Sequence, residues 1–580
     1  MTKTRKSICA AVLCIVMVMT LAACSTQQYT VSFDAKSAGV TLDPQTVGSG
    51  KKVTAPAEPK KDGYLFLGWF QDAGLTQPWD VSKDKVKSDM TLYAGWDKDT
   101  GDTVSNPGND KDFSGLRSPG SQEEAYEYSF FFQPEKDGAS QPYVGDTMPY
   151  YEDGVYYIYY LKEAGDSYNH SAYLATTTDF VTYTEYDDPV LEANHSGGQD
   201  SWIGTGSVVK VDGKYYFFYT GHGNGAVLEY AEKVMVAVGD TPTSFEKLTD
   251  WEITPPAELG QKNDFRDPQA YVDPATGNII LTITASQSGT ARILKYTLSP
   301  DLENAHYDGI IFTNPVGDFW NLECSDTFRI GDTYYITYSA QDDTLWYATS
   351  DTAYGPYGAP TRLDGKLFYA AKHVEDGEKL YMVGWARRSE SVSSTQDVSG
   401  WAGNLAVQEI VQNADGTLAL APVDAITESF TARRELQTEG GTHAFVEAGS
   451  AYNYVDVFTC YESYMLTGEF TFTGNGSFGL SFDYNGRADK NKLIAISPSN
   501  GTLSLQFNEG STLITETAVE LTAGEIYSFT YIQEGSVGIF YIDGLAALTV
   551  RLYGVSGKPV QIFAENNAVL FTSLRQYTRP

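Results

Sequence analysis

At 580 residues the chain is too long for one ordinary core, and about two to four domains are expected. Its formal net charge of −35 repels nucleic acid and anionic membrane surfaces, so neither is expected as a partner. With 41 Tyr, 54 Gly and no sustained amphipathic helical period after the N-terminus, the composition is that of a large β-rich protein suited to neutral ligands.

The N-terminus is a targeting segment: Lys3, Arg5 and Lys6 form a basic region and Ile8 to Leu21 an apolar one, short for a stable membrane span. Leu21-Ala22-Ala23-Cys24 resembles a bacterial lipobox. That resemblance implies a signal peptide over 1–23 and a lipid on Cys24. The mature protein is then expected at the extracellular face of the cell membrane, held only by its lipid. Cys9 and Cys14 leave with the signal, so Cys324 and Cys460 remain; they lie in different expected domains and are read as free thiols. They cannot build a zinc site, and the six histidines show no metal-ligand spacing, so no metal is expected.

Residues 28–97 form a small β-rich module. Its aromatic centre is Gly63-Tyr64-Leu65-Phe66-Leu67-Gly68-Trp69-Phe70, and it closes with Met90-Thr91-Leu92-Tyr93-Ala94-Gly95-Trp96. These stretches resemble the Listeria–Bacteroides repeat. The resemblance implies a spacer or cell-wall-facing module. Residues 98–125, rich in Asp, Gly, Ser, Asn and Pro, read as a flexible linker without enough apolar side chains for a core.

From 126 to 430 one unit recurs. Five hairpins turn at Asp153-Gly154, Asp212-Gly213, Thr276-Gly277, Gly331-Asp332 and Asp376-Gly377. Their spacing of roughly 45 to 65 residues is that of four-stranded propeller blades. Because blades pack radially, their first strands line a central channel. Asp146, Asp267 and Glu323 stand upstream of the first, third and fourth hairpins, in the same place of the repeat, and should meet at one axial pocket. Residues 431–580 carry short strand-like runs with polar turns and read as a two-sheet sandwich. The fold class is therefore all-β: a five-bladed β-propeller followed by a β-sandwich, with a small N-terminal β-rich module.

Three acids in one pocket suit glycoside hydrolysis. One carboxylate attacks or activates water, a protonated partner donates to the leaving oxygen, and a third holds ring hydroxyls. Clustering raises some of their pKa values. Phe265-Arg266-Asp267-Pro268 and Leu322-Glu323-Cys324 resemble the Arg-Asp-Pro and Glu-Cys motifs of glycoside hydrolase family 32, the β-fructosidases. Gly204-Thr205-Gly206-Ser207, Phe368-Tyr369-Ala370-Ala371, Gly384-Trp385 and Trp401-Ala402-Gly403-Asn404-Leu405 fit the same family. The resemblance implies Asp146 as nucleophile, Glu323 as general acid/base and Asp267 as transition-state stabiliser. It implies substrate binding by Arg266, Thr205, Cys324 and Trp385, with Arg266 orienting Asp267 or touching sugar hydroxyls and Trp385 as a pocket wall. It implies a covalent fructosyl intermediate, retention of configuration and release of terminal fructose from fructans or sucrose-like sugars, with no cofactor.

The sequence departs from the family at three places. Gly145-Asp146-Thr147-Met148-Pro149 lacks both Asn residues of the first motif. Leu161 replaces a Gln, and Ala172-Tyr173-Leu174-Ala175 replaces Trp-Gly-His-Ala. Since those positions help hold terminal fructose in the family, other readings stay open. They are a propeller arabinofuranosidase or xylosidase, a non-catalytic carbohydrate-binding lipoprotein, and an adhesive surface protein.

Overall fold

The computed structural model describes residues 27–36, 39–56, 59–61, 64–73, 78–79, 81, 84–98, 127–135, 142–163, 170–194, 197–223, 227–261, 263–315, 319–388, 401–438, 441–449, 452–482, 492–507 and 512–580. The expected signal segment with Cys24 and the expected linker beyond residue 98 lie outside the described residues. Two compact units are formed, 1–105 and 106–580. In the first, a five-stranded sheet pairs Gln28–Asp34 in parallel with Met90–Lys98. Val31, Val47, Trp69, Trp79 and Leu92 are its core.

The second unit contains five four-stranded antiparallel sheets in succession, each in simple up-and-down order. The first strands of these blades, numbered I to V in chain order, are Thr147–Glu152, Trp202–Val211, Phe265–Val272, Leu322–Ile330 and Phe368–Glu375. Each packs on the next and the fifth on the first, which closes a five-bladed wheel. The five expected turns are all present. At Asp153-Gly154 and Asp212-Gly213 both central residues have positive φ, the conformation that matches the twist of a two-residue hairpin. The seam between blades V and I is bonded: Val144 and Gly403 exchange backbone hydrogen bonds of 2.8 and 3.0 Å, and Thr147 Oγ1 donates to the Val383 carbonyl at 2.7 Å.

The chain then forms two further antiparallel sheets, the sandwich, whose inner faces enclose Phe470, Phe478, Phe529, Phe540 and Phe571. Sandwich and propeller meet through buried polar groups. Arg551, fully buried, donates to the carbonyls of Ala386 (2.7 Å) and Arg387 (3.1 Å) and to Asn404 Oδ1 (2.9 Å) in blade V. In the opposite sense, Asp364 of the propeller accepts from the Thr549 amide (3.0 Å) and hydroxyl (2.7 Å). Glu534 of the sandwich accepts from the Ser129 and Phe131 amides (3.1 and 3.0 Å) where the chain enters the wheel. Burial pushes Asp364 up to about 6 and Glu534 up to about 7, against those donors.

Candidate active site

Asp267 and Glu323 are carried by irregularities at the start of the inner strands, whereas Asp146 lies just before a regularly paired one. Register with the second strand breaks between Gly204 and Gly206, Arg266 and Gln269, Glu323 and Asp326, and Tyr369 and Lys372. In blades III, IV and V the bulged residue is left-handed although none is glycine: Asp267 (φ 58°), Cys324 (φ 51°) and Ala370 (φ 51°). Such a backbone costs about 1–3 kcal/mol per residue and persists where surrounding bonds over-determine it. Here each bulge amide donates to a side chain of the preceding blade. Asp267 N–H reaches Thr220 Oγ1 (2.8 Å), Cys324 N–H reaches Asp267 Oδ2 (2.8 Å), and Ala370 N–H reaches Ser339 Oγ (3.0 Å).

This corrects the expectation that the three acids hold one place in the repeat. Asp267 is the left-handed bulge residue; Glu323 precedes the equivalent residue, Cys324, by one position. The structural counterpart of Glu323 in blade III is therefore Arg266, and in blade V it is Tyr369. These three residues converge. Arg266 Nη2 donates to Glu323 Oε1 at 3.0 Å, and Tyr369 Oη donates to Glu323 Oε2 at 2.6 Å. The Glu323 side chain keeps 30% exposure and Asp146 is also partly exposed, against 3% for residue Asp267, so Glu323 and Asp146 are the acids that an incoming molecule can reach.

Asp146 lies where Gly145 N–H donates to the Leu161 carbonyl (2.8 Å) and Leu161 N–H to the Asp146 carbonyl (3.2 Å). Thr205 Oγ1 donates to its Oδ2 at 2.7 Å and Trp385 Nε1 to its Oδ1 at 3.2 Å. Burial is the largest influence on Asp146 and raises its pKa; Thr205 and Trp385 oppose that, and the charge of Glu323 adds to it. Burial likewise pushes Asp267 up to about 7, opposed by Arg266 and the Cys324 amide and reinforced by Glu323 and Asp146. Asp146 thus feels the charge of Glu323, and Asp267 that of both, as ring closure requires.

The four residues expected to bind substrate stand behind the acids. Thr205 and Cys324 are buried, and the Cys324 thiol packs 3.9 Å from Thr205 Oγ1. Trp385 is fully buried and presents its indole N–H to Asp146, so it is an anchor for that carboxylate and not an open pocket wall. Arg266 orients Glu323 where Asp267 was expected; its Nη1 also binds Glu232 (3.1 Å) and Asp264 (3.3 Å). Trp320 is 43% exposed and covers the Arg266 guanidinium at 5.3 Å. Sequence reasoning missed Tyr369, Glu232 and Arg387. For Tyr369 the signal was available, since the fifth repeat places it at the position of Arg266 and Glu323.

A wheel whose hub gathers two partly exposed acids, each held by its own two donors, and a third deep acid defines a class. This is a propeller–sandwich protein with the acid constellation of a glycoside hydrolase. Residues 132–422 match the glycosyl hydrolases family 32 N-terminal domain, and residues 29–95 match the Listeria–Bacteroides repeat domain. The chain belongs to glycosyl hydrolase family 32. Raffinose invertase of Escherichia coli is 23% identical over 461 residues, covering 73% of this chain and 89% of that protein. Fructan 1-exohydrolase IIa of Cichorium intybus shares the fold with a TM-score of 0.62 at 16% identity, over 78% of this chain and 97% of that one. Across the repeat module the chain is 43% identical over 70 residues to a Gly-rich membrane protein of Evansella cellulosilytica, 12% of this chain and only 8% of that protein's length.

Proposed function

We propose that the protein is a retaining glycoside hydrolase that releases terminal β-fructofuranosyl units from fructans or sucrose-like sugars. The observation that carries this reading is the separation of donors at the hub: Asp146 is held by Thr205 and Trp385, Glu323 by Arg266 and Tyr369. Two carboxylates in distinct environments can hold distinct protonation states. In the first half-reaction Asp146, ionised, forms a bond to the anomeric carbon. The glycosidic bond breaks with its electron pair going to the leaving oxygen, which takes a proton from Glu323. In the second, Glu323 removes a proton from water, the water oxygen bonds the anomeric carbon, and Asp146 leaves. Asp267, raised to about 7, is the partner for ring hydroxyls. The names of the invertase and the fructan exohydrolase it resembles support fructose as the sugar transferred.

The test is fructose release from levan, inulin and sucrose by the wild type and by Glu323→Gln and Asp146→Asn. Release by the wild type, reduced at least about 10³-fold in both variants, is expected. No release from any of the three sugars by folded protein refutes the reading. One observation favours a second specificity. Leu161 and Ala172, where the family carries polar sugar contacts, are buried and offer no side-chain hydrogen bond. Turnover of aryl arabinofuranosides or xylosides without fructose release would establish that alternative. We also propose export and a lipid on Cys24, from the basic–apolar–Cys sequence, with the repeat module facing the cell wall. Loss of membrane association in Cys24→Ser is the check.

A further inference from the structure

In a double displacement the acid/base is protonated at the start of one half-reaction and ionised at the start of the other. Glu323 must therefore be held well in both forms. Arg266, always charged, donates to Oε1 and favours the ionised one. Tyr369 is different, because its hydroxyl has one proton and two acceptors within reach: Glu323 Oε2 at 2.6 Å and the Ala340 carbonyl at 3.2 Å.

We propose that Tyr369 is a positioning residue that follows the proton on Glu323. Its O–H donates to Oε2 when Glu323 is ionised and turns to the Ala340 carbonyl when Glu323 carries the proton. This rests on the glycosidase reading of the same site. No proton is exchanged between the two residues; only the direction of one O–H bond changes. As Glu323 gives its proton to the leaving oxygen, the Tyr369 hydroxyl swings onto the carboxylate oxygen that is gaining charge. A hydrogen bond to an ionised acceptor is about twice as strong as a neutral one, so the contact tightens in the transition state and accelerates that step.

The surroundings fit a fixed ring with a free rotor. The Tyr369 side chain is buried, and its ring meets Trp385 edge-on at 5.5 Å and 65°. The Arg387 guanidinium lies over both rings, 4.9 Å from Tyr369 and 5.1 Å from Trp385, and is itself anchored to Asp343 at 3.0 Å. One cation thus backs the two aromatic side chains whose polar ends hold Glu323 and Asp146. Burial and the charge of Glu323 hold the phenol well above its ordinary pKa, so it keeps its proton and works as a donor, not as an acid.

The test is Tyr369→Phe, which keeps the ring between Arg387 and Trp385 and removes only the hydroxyl. The readout is kcat/KM on two substrates: sucrose, whose leaving oxygen needs a proton, and 4-nitrophenyl β-fructofuranoside, whose leaving group needs little. A loss of about 10- to 100-fold on sucrose and less than about threefold on the aryl substrate is expected. Equal losses on both, or none, overturn the proposal, since a merely structural role moves both alike. A wild type inert on both substrates overturns the fructosidase reading and this proposal with it; an active wild type with equal losses in the variant overturns this proposal alone. If the Phe variant does not fold, 3,5-difluorotyrosine at position 369 strengthens the donor without changing its shape. It should alter the sucrose to aryl ratio of kcat/KM at least about twofold, and an unchanged ratio overturns the proposal.

Discussion

Replacing Arg551 by Met tests whether the sandwich holds the hub of the propeller in place. Methionine fills much of the arginine stem and donates no hydrogen bond. In the wild type the fully buried guanidinium satisfies three acceptors of blade V: the Ala386 carbonyl at 2.7 Å, the Arg387 carbonyl at 3.1 Å and Asn404 Oδ1 at 2.9 Å. Each orphaned buried acceptor costs about 1–3 kcal/mol. Removing a desolvated cation offsets part of that sum, which leaves a net destabilisation of about 2–4 kcal/mol. A second effect reaches the site. Ala386 and Arg387 directly follow Trp385, whose indole holds Asp146, and Arg387 lies over the Tyr369 ring. Loosening that strand by the worth of one charged hydrogen bond, about 1.4 kcal/mol, lowers kcat about tenfold. Thermal unfolding followed by tryptophan fluorescence, and kcat at 25 °C, measure the two effects separately. An unchanged unfolding midpoint refutes the brace; a lowered midpoint with wild-type kcat refutes its coupling to the active site.

Two shorter predictions concern buried groups. In Thr205→Val, Asp146 loses the 2.7 Å donor that opposes its burial, so its pKa rises further. Because Asp146 acts ionised, the acidic limb of the kcat/KM profile moves to higher pH, with a loss of about tenfold or more on that limb; a limb that stays put contradicts the assignment. Cys324 and Cys460 are buried free thiols, and burial pushes Cys324 well up and Cys460 up to about 12. Thiol reagents require the thiolate, so mass spectrometry should find neither residue labelled in native protein at pH 8 and both labelled in urea. Rapid labelling of either in the native state counts against burial of these thiols in the core.

The local pattern of the chain was legible from its residues. Asp-Gly, Thr-Gly and Gly-Asp pairs between runs of β-branched and aromatic side chains marked the five propeller hairpins, and at Asp153-Gly154 and Asp212-Gly213 the positive φ of both residues matches the twist of antiparallel strands. Five such hairpins at blade spacing imply a wheel, and a wheel implies that acids upstream of its inner strands meet. The motifs around Arg266, Asp267, Glu323 and Cys324 pointed to the same family that the comparisons show. Tertiary structure alone decided the rest, because the deciding contacts cross blade boundaries. Tyr369 reaches Glu323 over 46 residues, Trp385 reaches Asp146 over 239, and Arg551 reaches blade V over 147 or more. The repeat placed Tyr369 level with Glu323, but which atoms meet follows from ring closure and from a bulge that shifts Glu323 one residue relative to Asp267. Burial, the largest influence lifting Asp267 to about 7, is likewise a property of the assembled hub: it depends on how much water five packed strands exclude, and it outweighs the opposing charge of the neighbouring Arg266.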